Sequence, residues 1–282
     1  MLRFRPTLFT RPRRAAAVCW VAACCLLLLA SCTSASTTRL TITGSTSMSP
    51  FVELLAEHYQ AEHPGVAIDV QGLGSSAGIR AALDGVSELG MSSRLLTAEE
   101  ADQLAQMVMA RDALAIIVHP TNPVTGLTTE QVRALFAGSI TSWAELGGPA
   151  RPVVLVSREA GSGTHSAFEE LVMQGTQITS SALRQGSNGA IRQIVADNPD
   201  AIGYISLGVV DDTVRPVAID GVTPTIAEVQ SGSYRIMRPF LIVWHRDHEL
   251  SPPATAFLEY INSPAGQAEL MRSGLVPGEA AP

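Results

Sequence analysis

Ser157-Arg158-Glu159-Ala160-Gly161-Ser162-Gly163-Thr164-His165-Ser166 follows a short apolar run, Pro152-Val153-Val154-Leu155-Val156, that predicts a buried strand. Behind it, Ala167 to Met173 has helical spacing. A strand that turns through Gly-Ser-Gly-Thr into a helix presents unpaired backbone N–H groups, two hydroxyls and the positive end of the helix dipole. Arg158 adds a planar fork of N–H donors. The combination suits a small oxyanion. The alternative is an ordinary helix cap, with Ser162 or Thr164 closing the first turn. Which reading holds depends on whether other segments supply the same chemistry.

Working outward, they do. Leu40-Thr41-Ile42-Thr43 alternates like a strand and runs into Gly44-Ser45-Thr46-Ser47-Met48-Ser49-Pro50, ahead of helical spacing at Phe51, Leu54, Leu55 and Tyr59. Val66 to Val70 reads as a strand feeding Gly72-Leu73-Gly74-Ser75-Ser76-Ala77-Gly78 and a helix over 79–83. The next strand ends in Gly90-Met91-Ser92-Ser93-Arg94, and Thr97 to Glu100 opens a helix as a capping box. A weaker junction, Gly186-Ser187-Asn188-Gly189, precedes a helix over 190–197. Further strands are expected at 113–118, 201–205, 214–219 and 236–244, a short helix at 129–136, and helical structure from Ser251 on. Strands and helices alternate throughout, which predicts an α/β fold with mostly parallel sheets. In such sheets ligands gather at the carboxyl ends of strands. Hydroxyl-rich junctions at 44–49, 72–78, 92–94 and 158–166, two of them with an arginine, point to one polar pocket rather than four separate caps.

Other chemistries fit less well. Gly72 to Ala77 matches the dinucleotide fingerprint G-x-G-x-x-A, yet the next strand ends in Ser-Ser-Arg where an acid should meet the ribose. Ser162 and His165 are close in sequence, but three residues across a helix start do not align a nucleophile with its base, and G-x-S-x-G is absent around Ser162. His245 and His248 lack a clear third metal ligand. No catalysis, cofactor or metal is expected.

The first residues read as an address. Met1 to Arg14 carries five arginines and no acid, Ala15 to Ala30 is almost wholly apolar, and Leu29-Ala30-Ser31-Cys32 matches a lipoprotein cleavage site. We expect a signal peptide over 1–31, lipidation at Cys32 and a tether over 32–39; an uncleaved anchor helix is the alternative. Both place the body outside the cytoplasmic membrane, either lipid-anchored at the outer face of the cell membrane or in the periplasm. All four cysteines lie in this segment, so the body has neither disulfides nor a thiolate metal site. All 19 basic residues are arginine; five are in the leader, leaving 14 against 26 acids and a formal charge of −12 from Cys32 on. That balance argues against nucleic acid, which needs a basic surface. An anion site would need strong local donors.

The motifs at Gly44-Ser45-Thr46-Ser47, Gln71-Gly72-Leu73-Gly74-Ser75-Ser76, Gly90-Met91-Ser92-Ser93-Arg94 and Ser157 to Thr164 together resemble the phosphate-binding proteins of Pst-type ABC importers. Asn198-Pro199-Asp200-Ala201-Ile202-Gly203-Tyr204 is similar to the same family, and the resemblance runs from about Leu40 to Tyr260. It implies a periplasmic-binding-protein type II fold of two α/β lobes joined by two crossing strands, here 113–118 and 236–244. Lobe one would be 40–115 plus 236–282, and lobe two 116–235. It also implies inorganic phosphate between the lobes, an ABC permease as partner, and a monomer. Carried over by motif, the binding positions are Thr46, Ser47, Ser75, Ser93, Arg158, Ser162, Gly163 and Thr164. Well-studied relatives have an aspartate where this chain has Ser93, a carboxylate that repels fully deprotonated anions such as sulfate. Ser93 cannot repel in that way, which leaves sulfate or molybdate as alternative ligands. Arg94 is expected to turn inward, as in one branch of the family. Many relatives carry arginine at His165, which either donates one N–H to the ligand or is an exposed helix residue. A sensor or scaffold without cargo is the other class of function.

Overall fold

The computed structural model describes residues 37–278. The expected signal peptide, Cys32 and most of the expected tether lie outside the described residues. Chain order from Thr38 is strand, helix, strand: β1 (Thr38–Gly44), the helix Ser49–Glu62, β2 (Val66–Gly72), the helix Ser75–Leu83 and β3 (Leu89–Ser92). Thr38 and Arg39, expected to belong to the tether, are already in β1, paired with Val66 and Ala67 of β2. A six-residue helix, Ala98–Gln103, leads straight into β4 (Leu104–Val118). The capping box at Thr97 and Glu100 forms as expected. Strand β4 starts nine residues before the expected Ala113, because Gln106, Arg111 and Asp112 interrupt its apolar run.

The remaining strands are β5 (Gly126–Leu127), β6 (Val154–Arg158), β7 (Leu183–Gln185), β8 (Ala201–Ser206), β9 (Arg215–Pro216), β10 (Ala218–Ile219), β11 (Met237–His245) and β12 (Val276–Pro277). Helices Thr129–Ala137, Gly163–Phe168, Asn188–Asp197, Ile226–Gln230, Pro252–Asn262 and Pro264–Arg272 alternate with them. The main sheet runs β2-β1-β3-β11-β4-β8-β6-β7, with β9 and β12 also on β4. Its flanks are parallel, β1 with β2 and β3, and β6 with β7 and β8. Its centre is antiparallel: β11 opposes β3 and β4, and β4 opposes β8. The expectation of a mostly parallel sheet thus holds for the flanks alone. Helical crossovers wind each flank in one direction, whereas β4 and β11 are the chain's two opposed passes between them.

The two largest cores share those passes. Leu40, Ile42, Phe51, Leu55 and Met91 pack with Met109 and Ala110 of β4, Phe240 and Ile242 of β11, and Phe257. Phe136, Trp143, Phe168 and Tyr204 pack with Ala113, Leu114 and Ile116 of β4 and with Ile236. Phe168 and Tyr204 stack at 3.9 Å between centroids, with Phe136 edge-on to both. Each such side chain contributes roughly 1.5–3 kcal/mol by burial. Between the two cores Asp112 pairs in register with Arg238. Among the described residues, no helix is long and apolar enough to cross a membrane.

Candidate functional site

The ends of β1, β3 and β6 and the turn after β2 meet in one buried cluster of hydroxyls. Gly74, at φ +97°, turns the chain so that the amides of Leu73 and Gly74 both donate to Gly44 O, at 2.9 and 2.8 Å. The Ser76 amide then donates to Gly161 O at 3.1 Å, which ties the second loop to the fourth. Ser47 Oγ and Thr164 Oγ1 share a hydrogen bond of 2.6 Å. Ser45 Oγ donates to Ser93 Oγ at 2.9 Å, and Ser75 Oγ accepts from the Ser93 amide at 3.0 Å. Ser45, Ser47, Ser75, Ser93, Ser162 and Thr164 are all at most 2% exposed. Hydroxyls so enclosed must find partners in one another or in a ligand.

Arg158 ends β6 with no exposed surface. Its Nε donates to Gln185 O at 3.0 Å, and Nη2 donates to Gly186 O at 2.7 Å and Thr46 Oγ1 at 2.9 Å. Nη1 has only long contacts, 3.4 Å to Thr164 Oγ1 and 3.4 Å to Asn188 Oδ1. These partners are all neutral. Burial, and then the charge of Arg238, pushes the Arg158 pKa down to about 10. The guanidinium stays charged at neutral pH. An unpaired buried cation costs several kcal/mol, and an anion at Nη1 would offset that cost. From below, Tyr204 OH accepts from the Arg158 amide at 3.2 Å and shares 2.8 Å with Ser157 Oγ.

Ser162 is the cap of the helix Gly163–Phe168, its Oγ accepting from the His165 amide at 3.3 Å. The amides of Gly163 and Thr164 keep no acceptor among the described residues, as expected for a first turn. Capping and anion binding are therefore compatible here. Thr46, Ser47, Ser75, Ser93, Arg158, Ser162, Gly163 and Thr164 all belong to the cluster.

Arg94 does not join them, which corrects the expectation that it turns inward. Its Nη1 and Nη2 grip Glu100 Oε2 and Oε1, each at 2.8 Å, and Nη1 also donates to Leu95 O. It lines a separate surface cleft of about 530 Å³. The capping box brings Glu100 to the Thr97 amide, so a carboxylate is already waiting six residues on. That hydrogen bond from Arg94 holds the Glu100 pKa below the usual carboxylate range. A depressed carboxylate pKa adds stability that is complete above the unfolded pKa and is lost as pH falls through the folded one. Arg94→Met should leave oxyanion affinity within about twofold while costing roughly 1 kcal/mol of stability at neutral pH. The stability difference should vanish in acid. Chemical melts at two pH values, with ligand titration, check both halves.

His165 also departs from both expected roles. It is 9% exposed, with Nδ1 3.4 Å from Tyr204 OH and Nε2 3.3 Å from Glu169 Oε1. Burial lowers its pKa despite Glu169, with Arg184 and Arg158 adding to the effect, so the ring is neutral at pH 7. Its nitrogens face a tyrosine and a glutamate, not the hydroxyl cluster.

Sequence reading missed two charged members. Arg238 on β11 donates from Nη1 to Thr164 Oγ1 at 2.6 Å and from Nε to Asp112 Oδ2 at 3.0 Å. Asp112 Oδ1 accepts from Ser206 Oγ at 2.6 Å. Desolvation raises the Asp112 pKa and lowers that of Arg238, while their mutual attraction opposes both shifts. The signal was present: charges at Asp112 and Arg238 break otherwise apolar strand runs, and a buried charge needs a partner. Asn188, from the weaker fifth junction, is a third addition, only 4% exposed.

Residues 31–265 match the model of a PBP superfamily domain. The chain is 31% identical over 248 residues to the phosphate-binding protein PstS of Bacillus subtilis, covering 84% of this chain and 80% of that protein. It belongs to the PstS family. Among solved structures, a phosphate ABC transporter substrate-binding protein from Clostridium perfringens, determined with bound phosphate, is 41% identical. It superposes with a TM-score of 0.83 over 86% of this chain and 100% of that one. An ABC-type phosphate transport receptor from Vibrio cholerae is 36% identical, with a TM-score of 0.72 over 85% and 100% of the two chains. These PstS-type relatives are binding components of transporters and not enzymes. The PstS family thus accounts for a cluster rich in donors that holds no nucleophile–base pair.

Proposed function

We infer that this chain captures inorganic phosphate at the Arg158 cluster, outside the cytoplasmic membrane, and delivers it to a Pst-type ABC permease. One observation carries the reading: a fully buried guanidinium with no carboxylate partner among the described residues, ringed by hydroxyls and unpaired first-turn amides. A compact acceptor with negative charge completes that set. PstS-type relatives, one determined with bound phosphate, support the same ligand. In this reading Cys32 carries the lipid that keeps a monomeric body at the membrane. The body divides into lobes of 40–115 plus 236–282 and 116–235; the change of core along β4 and β11 supports that division.

A second ligand class has one observation in its favour. No carboxylate stands at Ser93, and Ser93 Oγ already accepts from Ser45, so its own proton points elsewhere. A cradle made of donors does not penalise an anion without a proton. Calorimetric titration of the chain from Cys32 on, with phosphate, sulfate, arsenate and molybdate, tests both readings. Saturable phosphate binding without turnover is expected; binding of none of the four would favour a sensor or scaffold. Ser93→Asp should widen the preference for phosphate over sulfate by at least about tenfold, since a like charge facing sulfate costs over 1.4 kcal/mol. Equal competition by sulfate before and after the change would reject that role for Ser93.

A further inference from the structure

We propose that Arg238 is a second cationic ligand of the captured anion, with Asp112 as the residue that positions it. The proposal rests on the reading of this cluster as an oxyanion site. Four buried side-chain polar atoms among the described residues lack a hydrogen-bond partner, and two of them, Arg238 Nη2 and Asn188 Nδ2, belong to this cluster. Arg238 Nη2 lies 2.9 Å from Asp112 Oδ2, at ion-pair distance but out of line for a hydrogen bond. Native interiors rarely leave such donors unmade.

Thr164 Oγ1 accepts from Arg238 Nη1 at 2.6 Å, with Arg158 Nη1 more distant at 3.4 Å, and shares a hydrogen bond of 2.6 Å with Ser47 Oγ. Whichever of the two hydroxyls donates, the proton of the other has no acceptor among the described residues. The cluster therefore holds an excess of donors: one hydroxyl of the Ser47–Thr164 pair, Arg238 Nη2, Asn188 Nδ2 and the Gly163 and Thr164 amides. The ionised oxygens of a tetrahedral oxyanion supply acceptors and would satisfy them together.

The ion pair has no sufficient structural reason. Replacing a buried pair by apolar side chains is often neutral or stabilising, and Asp112 and Arg238 sit where two apolar cores meet. Their geometry does suit positioning. Asp112 is anchored from its far side by Ser206 Oγ and pins the Nε edge of Arg238. The Arg238 guanidinium carbon lies 5.2 Å over the Phe240 ring, which fixes its plane. What remains without an acceptor is Nη2, on the side toward Thr164. A ligand held there contacts β11 through Arg238 and is coupled to β4 only by way of Asp112.

The test is calorimetric titration of inorganic phosphate into the chain from Cys32 on and into an Asp112→Asn, Arg238→Met double variant, which removes both charges of the pair and so leaves neither one unpaired. Losing one charge-assisted contact predicts roughly 10- to 100-fold weaker binding, with an unliganded melting temperature at or above that of the parent. Arg238→Lys keeps the charge without the fork and should fall between the two. An unchanged dissociation constant in the double variant would overturn the role of Arg238 and leave the functional reading intact. Failure of the parent chain to bind phosphate would overturn both. A crystal structure of the parent with phosphate decides the matter even if the variant does not fold. Nη2 within about 3.2 Å of a ligand oxygen supports the role, and Nη2 beyond about 4 Å from every ligand oxygen refutes it.

Discussion

Arg158→Met should weaken phosphate binding by more than about 100-fold, since charge-assisted hydrogen bonds are worth roughly 1.5–3 kcal/mol each and the guanidinium can offer two. Its Nε and Nη2 are held by Gln185 O, Gly186 O and Thr46 Oγ1, so the fork is in place before any ligand arrives. Little ordering remains to be done on binding. The unliganded fold should tolerate the change. Methionine removes an unpaired buried charge, which favours folding; Gln185 O keeps the Glu159 amide at 3.2 Å, while Gly186 O keeps only the 3.5 Å contact from Thr46 Oγ1, a loss of about 1–3 kcal/mol. A melting temperature within a few degrees of the parent, together with lost affinity, is the expected pair of results. A dissociation constant equal to that of the parent would remove Arg158 from the site.

Gly163→Ala is expected to be nearly as damaging, for a steric reason. A methyl group at Gly163 would lie 2.3 Å from Ser75 Oγ, 2.6 Å from Ser93 Oγ and 2.9 Å from Ser75 Cβ. A rotated hydroxyl cannot relieve all three contacts, because the Cβ of Ser75 moves only with its backbone. The start of the helix Gly163–Phe168 must then withdraw from the start of the helix Ser75–Leu83. Overpacking of this kind costs about 1–3 kcal/mol, or roughly 5- to 150-fold in affinity if the cost falls on the bound state. Both hydrophobic cores are untouched, so the melting temperature without phosphate should fall only by the few degrees that about 1–3 kcal/mol of local overpacking implies. Titration beside a melt separates the two quantities, and unaltered affinity would show that the loops need not approach so closely.

Local chemistry was the most readable part of this chain. Hydroxyl-rich turns at 44–49, 72–78 and 158–166 are strand-to-helix junctions in the structure, because capping and turn formation depend on neighbours a few residues away. The same locality explains the box at Thr97 and Glu100. Arg94 shows the limit of that reading. It follows Ser93 directly, yet a carboxylate six residues on offers it a closer partner than any ligand. For His165 the sequence named the residue but not its surroundings, which Tyr204 supplies from 39 positions away.

The sequence by itself determined the class of fold, the points where strands turn into helices, and the donor chemistry gathered at those turns. Periodicity, caps and residue type act over short distances, and that is enough for each of these. Only the tertiary structure decided which turns face one another, that the centre of the sheet is antiparallel, and that Asp112 and Arg238 meet across 126 positions to bring a second guanidinium to Thr164. No local preference encodes such a meeting. It follows from two apolar strands pairing in one register, and that register is set by the packing of two cores at once.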